Sequence, residues 1–343
     1  MHMRFTVLLV ALLIAPSVAA AQNPTDASST SSTAEPATFS GKTVDQWADQ
    51  LLQSKDPRKK WYAAYALGQI GPKAAAAVEP LATFVRTIGP KEEEYARAGS
   101  AWALGQIGPG AADAVPALAE TLGVTTLPSI RRNIPRALGR IGEPARPAVP
   151  ALLAVLDDPD QTVATGAAIA LWRIEKHPRA MPAILDMLKQ PAGPAPFLAA
   201  KALGEMEDVP VETVAPSLTA ALRHPQGDVR RAAARSLGQI GAPTLPAVRA
   251  ALANSDVATR SAALSALVWF GELGIPDFSA ALADTEPTIR RQAAAALGRI
   301  GAPAKDALGK LVDLTADPDP AVRAAAADAY ARIQAALAEG TSP

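Results

Sequence analysis

The sequence predicts an all-α fold, a superhelical stack of about nine helical hairpins. Three observations predict it. A short string built on Ala-Leu-Gly-x-Ile-Gly returns along the 343-residue chain at a nearly constant interval. Apolar residues make up 49% of the composition but aromatics only 4%, so the core has to be built from Ala, Leu, Val and Ile at close range. Prolines, 31 in all, gather mostly at the turns between the strings, where they punctuate helices.

Taken from the N-terminus, residues 1–21 open with Arg4, run through apolar Phe5 to Ala15 and end in Pro16-Ser17-Val18-Ala19-Ala20-Ala21. A basic start, a short apolar stretch and small residues at its end predict a secretory signal peptide cut near Ala19-Ala20-Ala21. The alternative is an uncleaved anchor, but Pro16 interrupts a run already shorter than the roughly 20 residues a spanning helix needs. The expected location is therefore periplasmic or secreted. Residues 22–41 are rich in Ser, Thr, Ala and Pro and cannot bury enough surface to offset their ordering entropy, so a flexible linker is expected there.

From 42 to 339 the repeat takes over. The glycine slot of each string, or its equivalent, falls at 68, 105, 139, 172, 204, 238, 268, 298 and 331, with steps of 37, 34, 33, 32, 34, 30, 30 and 33. Each unit carries two helices. The second starts after an acid-proline turn such as Asp56-Pro57, Asp158-Pro159, Glu286-Pro287 or Asp319-Pro320, where the acid can cap free amides and proline fits the first helical position. It stops at a glycine three residues past the slot, such as Gly71, Gly142 or Gly301. The first helix is marked by a second proline, as in Val115-Pro116 and Val149-Pro150. Thr43-Val44-Asp45-Gln46 reads as a capping box that opens the array with Val44, Trp47 and Leu51 on one side. Residues 340–343 are a tail.

Units such as Asp228-Val229-Arg230-Arg231-Ala232-Ala233-Ala234-Arg235-Ser236-Leu237-Gly238-Gln239-Ile240-Gly241 resemble HEAT repeats, and more narrowly the short Ala-Leu-Gly-rich variety named after phycobilisome bilin lyases (PBS lyase HEAT-like repeats). The resemblance covers essentially the whole chain past the linker. It implies an armadillo-like, right-handed solenoid whose second helices line the concave side. It does not fix a function, because enzymes, scaffolds and adaptors share this repeat.

At 100° per residue, positions −8, −5, −4, −1 and +2 from the slot form one stripe of the second helix. Position −1 is Leu in eight of nine units and −4 is Ala in seven, which makes the stripe core. Position −8 is the exception: Lys60, Arg97, Arg131, Arg230, Arg260, Arg290 and Arg323 sit there, with an acid four residues earlier in several units. These cations are expected to tie one unit to the next as a ladder rather than to touch a ligand.

Positions −7, −3 and +1 face the other way. Of these 27 slots ten are basic (Arg132, Arg136, Arg140, Arg173, Lys201, Arg231, Arg235, Arg291, Arg299 and Arg332) and two are acidic (Glu205 and Asp328), in a chain with 33 residues of each sign. The bland reading is a solvated arginine face with cations complementing helix C-termini. The functional reading is a cationic groove on a neutral molecule. The third unit is the richest, and Pro135 within it implies either a helix that starts late or one kinked to expose a carbonyl beside arginines. Aromatics crowd the N-terminal units, and Trp61, Tyr65 and Trp102 occupy groove slots. They read either as a cap for the open end or as a sticky patch for a peptide or glycan.

Chemistry is sparse. Cysteine is absent, which excludes thiolate metal sites, disulfides and a cysteine nucleophile. His177 and His224 each precede a proline far from any ligand cluster, and no phosphate loop, nucleophile elbow or metalloprotease helix is present. Deoxyhypusine hydroxylases, another HEAT-like family, hold iron through His-Glu pairs, and this chain has none. The expectation is a non-catalytic scaffold or adaptor without cofactors. Its partner is expected to be a protein or peptide, or an extended anionic polymer, but not a specific nucleic-acid sequence. The alternatives are a bilin lyase-like enzyme and a pure structural spacer.

Overall fold

The computed structural model describes residues 37–87 and 89–339. The expected signal peptide, most of the expected linker and the tail at 340–343 lie outside them. Among the described residues eighteen α-helices pair into nine hairpins. They are α1 (Val44–Gln53), α2 (Pro57–Ile70), α3 (Val78–Arg86), α4 (Glu94–Ile107), α5 (Val115–Val124), α6 (Pro128–Ile141), α7 (Val149–Ala154), α8 (Gln161–Glu175), α9 (Ala180–Leu188), α10 (Ala195–Glu205), α11 (Val211–Ala221), α12 (Gly227–Ile240), α13 (Leu245–Leu252), α14 (Val257–Leu267), α15 (Ile275–Ala281), α16 (Pro287–Ile300), α17 (Leu308–Asp313) and α18 (Pro320–Glu339). Even-numbered helices pack each against the next, and odd-numbered ones form the layer behind. The fold is the all-α solenoid that the repeat predicts.

Small side chains bring the even helices close. A methyl group built on Gly298 would stand 2.7 Å from the Ala329 Cα in the following unit, and one on Gly105 would stand 2.9 Å from the Ala137 Cα. The slot glycine is thus a contact point between backbones. Next to it the stripe leucines Leu67, Leu104, Leu138, Leu171, Leu203, Leu237, Leu267 and Leu297 are fully buried. Burial of one leucine contributes roughly 1.5–3 kcal/mol, so repetition of this one contact supplies much of the driving force. In the last unit Tyr330 holds the equivalent place and is exposed.

The second glycine ends each helix. Gly142, at φ 76° and ψ −142°, sits in a region that only glycine enters cheaply, and its N–H donates to the Leu138 carbonyl at 3.1 Å. The starts differ in detail from the sequence expectation. Asp56 caps α2 as expected, its carboxylate accepting from the Arg58 amide. Asp158 does not cap α8; Asp160 does, and Asp158 lies one turn outside. The Glu286 side chain makes no capping hydrogen bond.

Pro135 lies inside α6, which starts at Pro128, so the late-start reading is wrong. Proline gives no N–H to the Arg131 carbonyl. Its ring instead packs on the following helix, where a methyl group on Gly166 would meet the Pro135 Cβ at 3.3 Å.

The linker also ends earlier than expected. Residues 38–39 (β1, Thr38–Phe39) and 42–43 (β2, Lys42–Thr43) form an antiparallel pair around Ser40 and Gly41, both at positive φ, as a tight hairpin turn requires. The indole Nε1 of Trp47 donates to the Phe39 carbonyl at 3.1 Å, and the predicted capping box of Thr43 and Gln46 is present. This hairpin closes the open end of the first unit.

Candidate basic clefts on the even-helix face

The −8 cations do form a ladder, but not with the acid on their own helix. Arg131 Nε and Nη2 donate to Asp158 at 2.8 and 2.6 Å; Arg260 reaches Asp284 and Arg290 reaches Asp317 in the same way, and Lys60 meets Glu93 at 2.8 Å. Each acid belongs to the next unit. In the three arginine pairs the same aspartate also accepts the backbone N–H two residues on, at Asp160, Glu286 and Asp319. Other guanidinium N–H groups of this row bind turn carbonyls, as Arg323 does at Asp317 and Pro318 and buried Arg97 does at Thr87, Gly89 and Pro90. These side chains are occupied by structure.

The −7, −3 and +1 cations are exposed, and the even-helix face between them is recessed in two places. The first cleft, of about 260 Å³, crosses α4, α6, α8 and α10 and gathers Trp102, Arg136, Arg140, Arg173, Lys201 and Glu205. Glu205 lies 3.8 Å from both Arg173 and Lys201, whereas Arg136 and Arg140 have no carboxylate of the described residues within ion-pair distance. Two arginines of this cleft, Arg136 and Arg173, titrate below their ordinary value, with burial the first cause. Burial in the cleft and the charges of Arg140 and Arg132 hold the Arg136 guanidinium below its ordinary value, against a smaller pull from Asp160. Burial likewise lowers Arg173, opposed by Glu205 and aided by Arg140.

The expected aromatic slots stack in a row, of which Trp102 lines the same cleft. Trp61 stacks on Tyr65 at 5.6 Å between ring centroids, and Tyr65 stacks on Trp102 at 5.8 Å. The glycine slot makes this possible, since a methyl group at Gly68 would overlap the Trp102 ring. Phe39, Trp47 and Tyr62 pack the end cap, and Phe39 and Tyr62 also meet Tyr65, each at 6.2 Å between ring centroids. The aromatic excess therefore runs from the cap through Tyr65 into the ladder as one cluster.

The second cleft, of about 840 Å³, lies over α12, α14 and α16. Arg231 and Arg299 line it, and Arg235 stands beside it with its guanidinium 5.9 Å above the Trp269 ring. Sequence reasoning missed Trp269, although it occupies a +1 slot of the same kind as Arg140. Three expected site residues contribute elsewhere. Arg132 is tied to Asp160 at 2.6 Å, Arg332 pairs with Asp328 on its own helix at 2.8 Å, and exposed Arg291 lines neither cleft.

The histidines are structural. His224 is buried, its Nε2 2.7 Å from the Gln190 carbonyl and its Nδ1 accepting from the Gln226 amide. Among the described residues no group of three or more His, Asp or Glu side chains is placed to hold a metal ion, and no helix is long and apolar enough to cross a membrane.

Comparison with known families settles the architecture. The family described as HEAT repeats matches residues 44–125, 88–171, 149–226, 215–277 and 275–339. The chain belongs to the HEAT-repeat family. Among solved structures, this HEAT array is 14% identical to a chain of a Kap95–Nup1 complex over 86% of its own length, with a TM-score of 0.50. It spans 47% of that chain, about half, and the likeness shows the fold alone. An engineered protein matches at 22% identity over 86% of this chain and 90% of the other, with a TM-score of 0.41. Human deoxyhypusine hydroxylase matches at 25% over 85% and 96%, with a TM-score of 0.35; neither score carries an argument about chemistry. No curated protein matches the sequence.

Proposed function

We propose that the protein is an exported, non-catalytic scaffold that binds another protein through an anionic, extended segment lying in the first cleft. One observation carries this reading: Arg136, Arg140, Arg173 and Lys201 converge on a recess with Glu205 as its single lining carboxylate. Cations held together at a cost in mutual repulsion are relieved when a ligand supplies the missing negative charge. The stacked Trp61, Tyr65 and Trp102 edge offers rigid apolar area next to the charge. Export follows from the basic, apolar and small-residue order of residues 1–21.

The test is affinity capture from the native envelope fraction, read by mass spectrometry, with wild type and an R136E/R140E/R173E variant. Partners retained by wild type at low salt, released at high salt and missing from the variant are the expected result. An identical set on both proteins discards the cleft. Intact mass of the recovered chain tests export, with a mature N-terminus near Gln22 expected and accumulation of the full-length chain in the cytoplasm opposing it.

A further inference from the structure

The second cleft differs from the first in what lies beside its charge. In the seventh unit the second helix stops early: α14 ends at Leu267, and residues 268–274 wind on as a tighter helix broken at Gly271. The slot glycine is replaced by Val268, and Trp269 is carried over Gly238 of the preceding unit, with no room there for a methyl group. Val268, Trp269 and Leu273 are left 38%, 53% and 54% exposed, a local concentration of bare apolar surface. Upstream on α14 the groove slots hold Ser261 and Ser265 where the third unit has arginines, so the floor is low between walls made by α12 and α16.

Charge is distributed to one side of this apolar step. No carboxylate lines the cleft, while Arg223, Arg230, Arg231 and Arg299 do. Arg223 is engaged by Asp256 at 3.4 Å and Arg230 by the carbonyls of His224 and Pro225, but Arg231 and Arg299 have no acid within ion-pair distance. Past Val268 and Arg299 the surface dips again into a pocket of about 340 Å³ formed by Val268, Phe278, Ala296 and Ile300, with Glu272 at its edge.

We infer that this surface is a second and separate binding site, for an extended peptide in which an acidic run lies on one side only of an apolar anchor residue. The anchor seats on Val268 and Ile300, the acidic run crosses the Ser/Ala floor to Arg231 and Arg299, and Glu272 repels acids placed beyond the anchor. The apolar step decides between polyanions, since a nucleic acid or sulfated glycan offers nothing to cover it, whereas a peptide side chain does. Arg235, held over Trp269, adds a preorganised donor to the same wall.

The experiment is fluorescence anisotropy with the complete chain and a labelled peptide of alternating Glu and Asp ending in an amidated Leu. In an R136E/R140E background, which removes the first cleft's share of an acidic probe, saturable binding is expected to persist and to weaken about tenfold or more when R231E/R299E is added, which separates this site from the first cleft. Replacing the probe's Leu by Ser is expected to cost about tenfold or more. Adding acids beyond the Leu is expected to weaken binding further. Thermal melting checks that the variants fold, and R231Q/R299Q, with a smaller expected loss, serves if the Glu variant melts early. Undiminished binding to R231E/R299E or of the Ser peptide, or heparin or an oligonucleotide binding as tightly as the Leu peptide, overturns the assignment.

Discussion

Arg290 grips both carboxylate oxygens of Asp317, 27 residues further on, with Nε and Nη2 at 2.8 and 2.9 Å. The pair crosses the boundary between the last two units, and both side chains are largely shielded from water. A guanidinium that loses such a partner leaves a desolvated carboxylate behind. R290Q is therefore expected to lower the melting temperature by several degrees, whereas R58Q, on an exposed side chain of α2, changes it little. Thermal circular dichroism on both variants checks this.

The same pairs set the response to acid. The Arg290 hydrogen bond holds the Asp317 carboxyl below its usual range. Burial pushes the Asp284 carboxyl up, but the Arg260 hydrogen bond and the Glu286 amide outweigh it, so it too titrates low. A carboxyl that is more acidic in the folded state stabilises the fold above its unfolded value of about 3.9 and loses that contribution as the pH falls through its folded value. Stability is expected to hold from neutral pH to about pH 5 and to drop below about pH 4. An R260Q/R290Q variant, lower at neutral pH, is expected to show a shallower acid slope in urea titrations.

The slot glycines give a sharp contrast. G298A places a methyl group 2.7 Å from the Ala329 Cα, a backbone atom that cannot swing aside, and is expected to cost about 1–3 kcal/mol. G123A on α5 meets nothing within 4 Å and should stabilise by roughly 0.5 kcal/mol through helix propensity. Chemical denaturation measures both, and equal effects would contradict the close-approach role of the slot.

Glu205 is the single carboxylate lining the first cleft. E205Q is expected to raise affinity for the captured anionic partner by roughly three- to tenfold at low salt, with the gain fading as salt is added. A weaker complex would mean that Glu205 itself contacts the ligand.

Much of this could be read from the residues. The nine slots, the leucine stripe, the glycine stops and the capping box at Thr43 follow from local periodicity and turn chemistry, and the structure has them. What was not legible depended on neighbouring units. Nothing local tells Arg290 to choose Asp317 over Glu286 at the start of its own helix, and nothing local shows Gly166 making room for Pro135. The face that carries Arg136 and Arg140 was legible from angle alone. The fact that Arg132 is already paired was not, because Asp160 comes 28 residues later. The break of α14 was visible as Val268-Trp269 in place of a glycine slot, but its exposed surface was not.

Boundary clasps of the Arg290–Asp317 kind do not recur evenly. They join the first unit to the second, the third to the fourth, and the seventh through the ninth. Between the fourth and seventh units the −8 slots hold Ala164, Pro196 and Arg230; the sequence has Asn254 at the place of the partner aspartate, and Arg230 binds the His224 and Pro225 carbonyls instead. Joints without such a clasp thereby lie beneath both clefts, second to third and fourth to fifth under the first, sixth to seventh under the second. A ligand lying in either cleft would therefore supply a cross-tie between units where the protein's own ladder leaves out a rung.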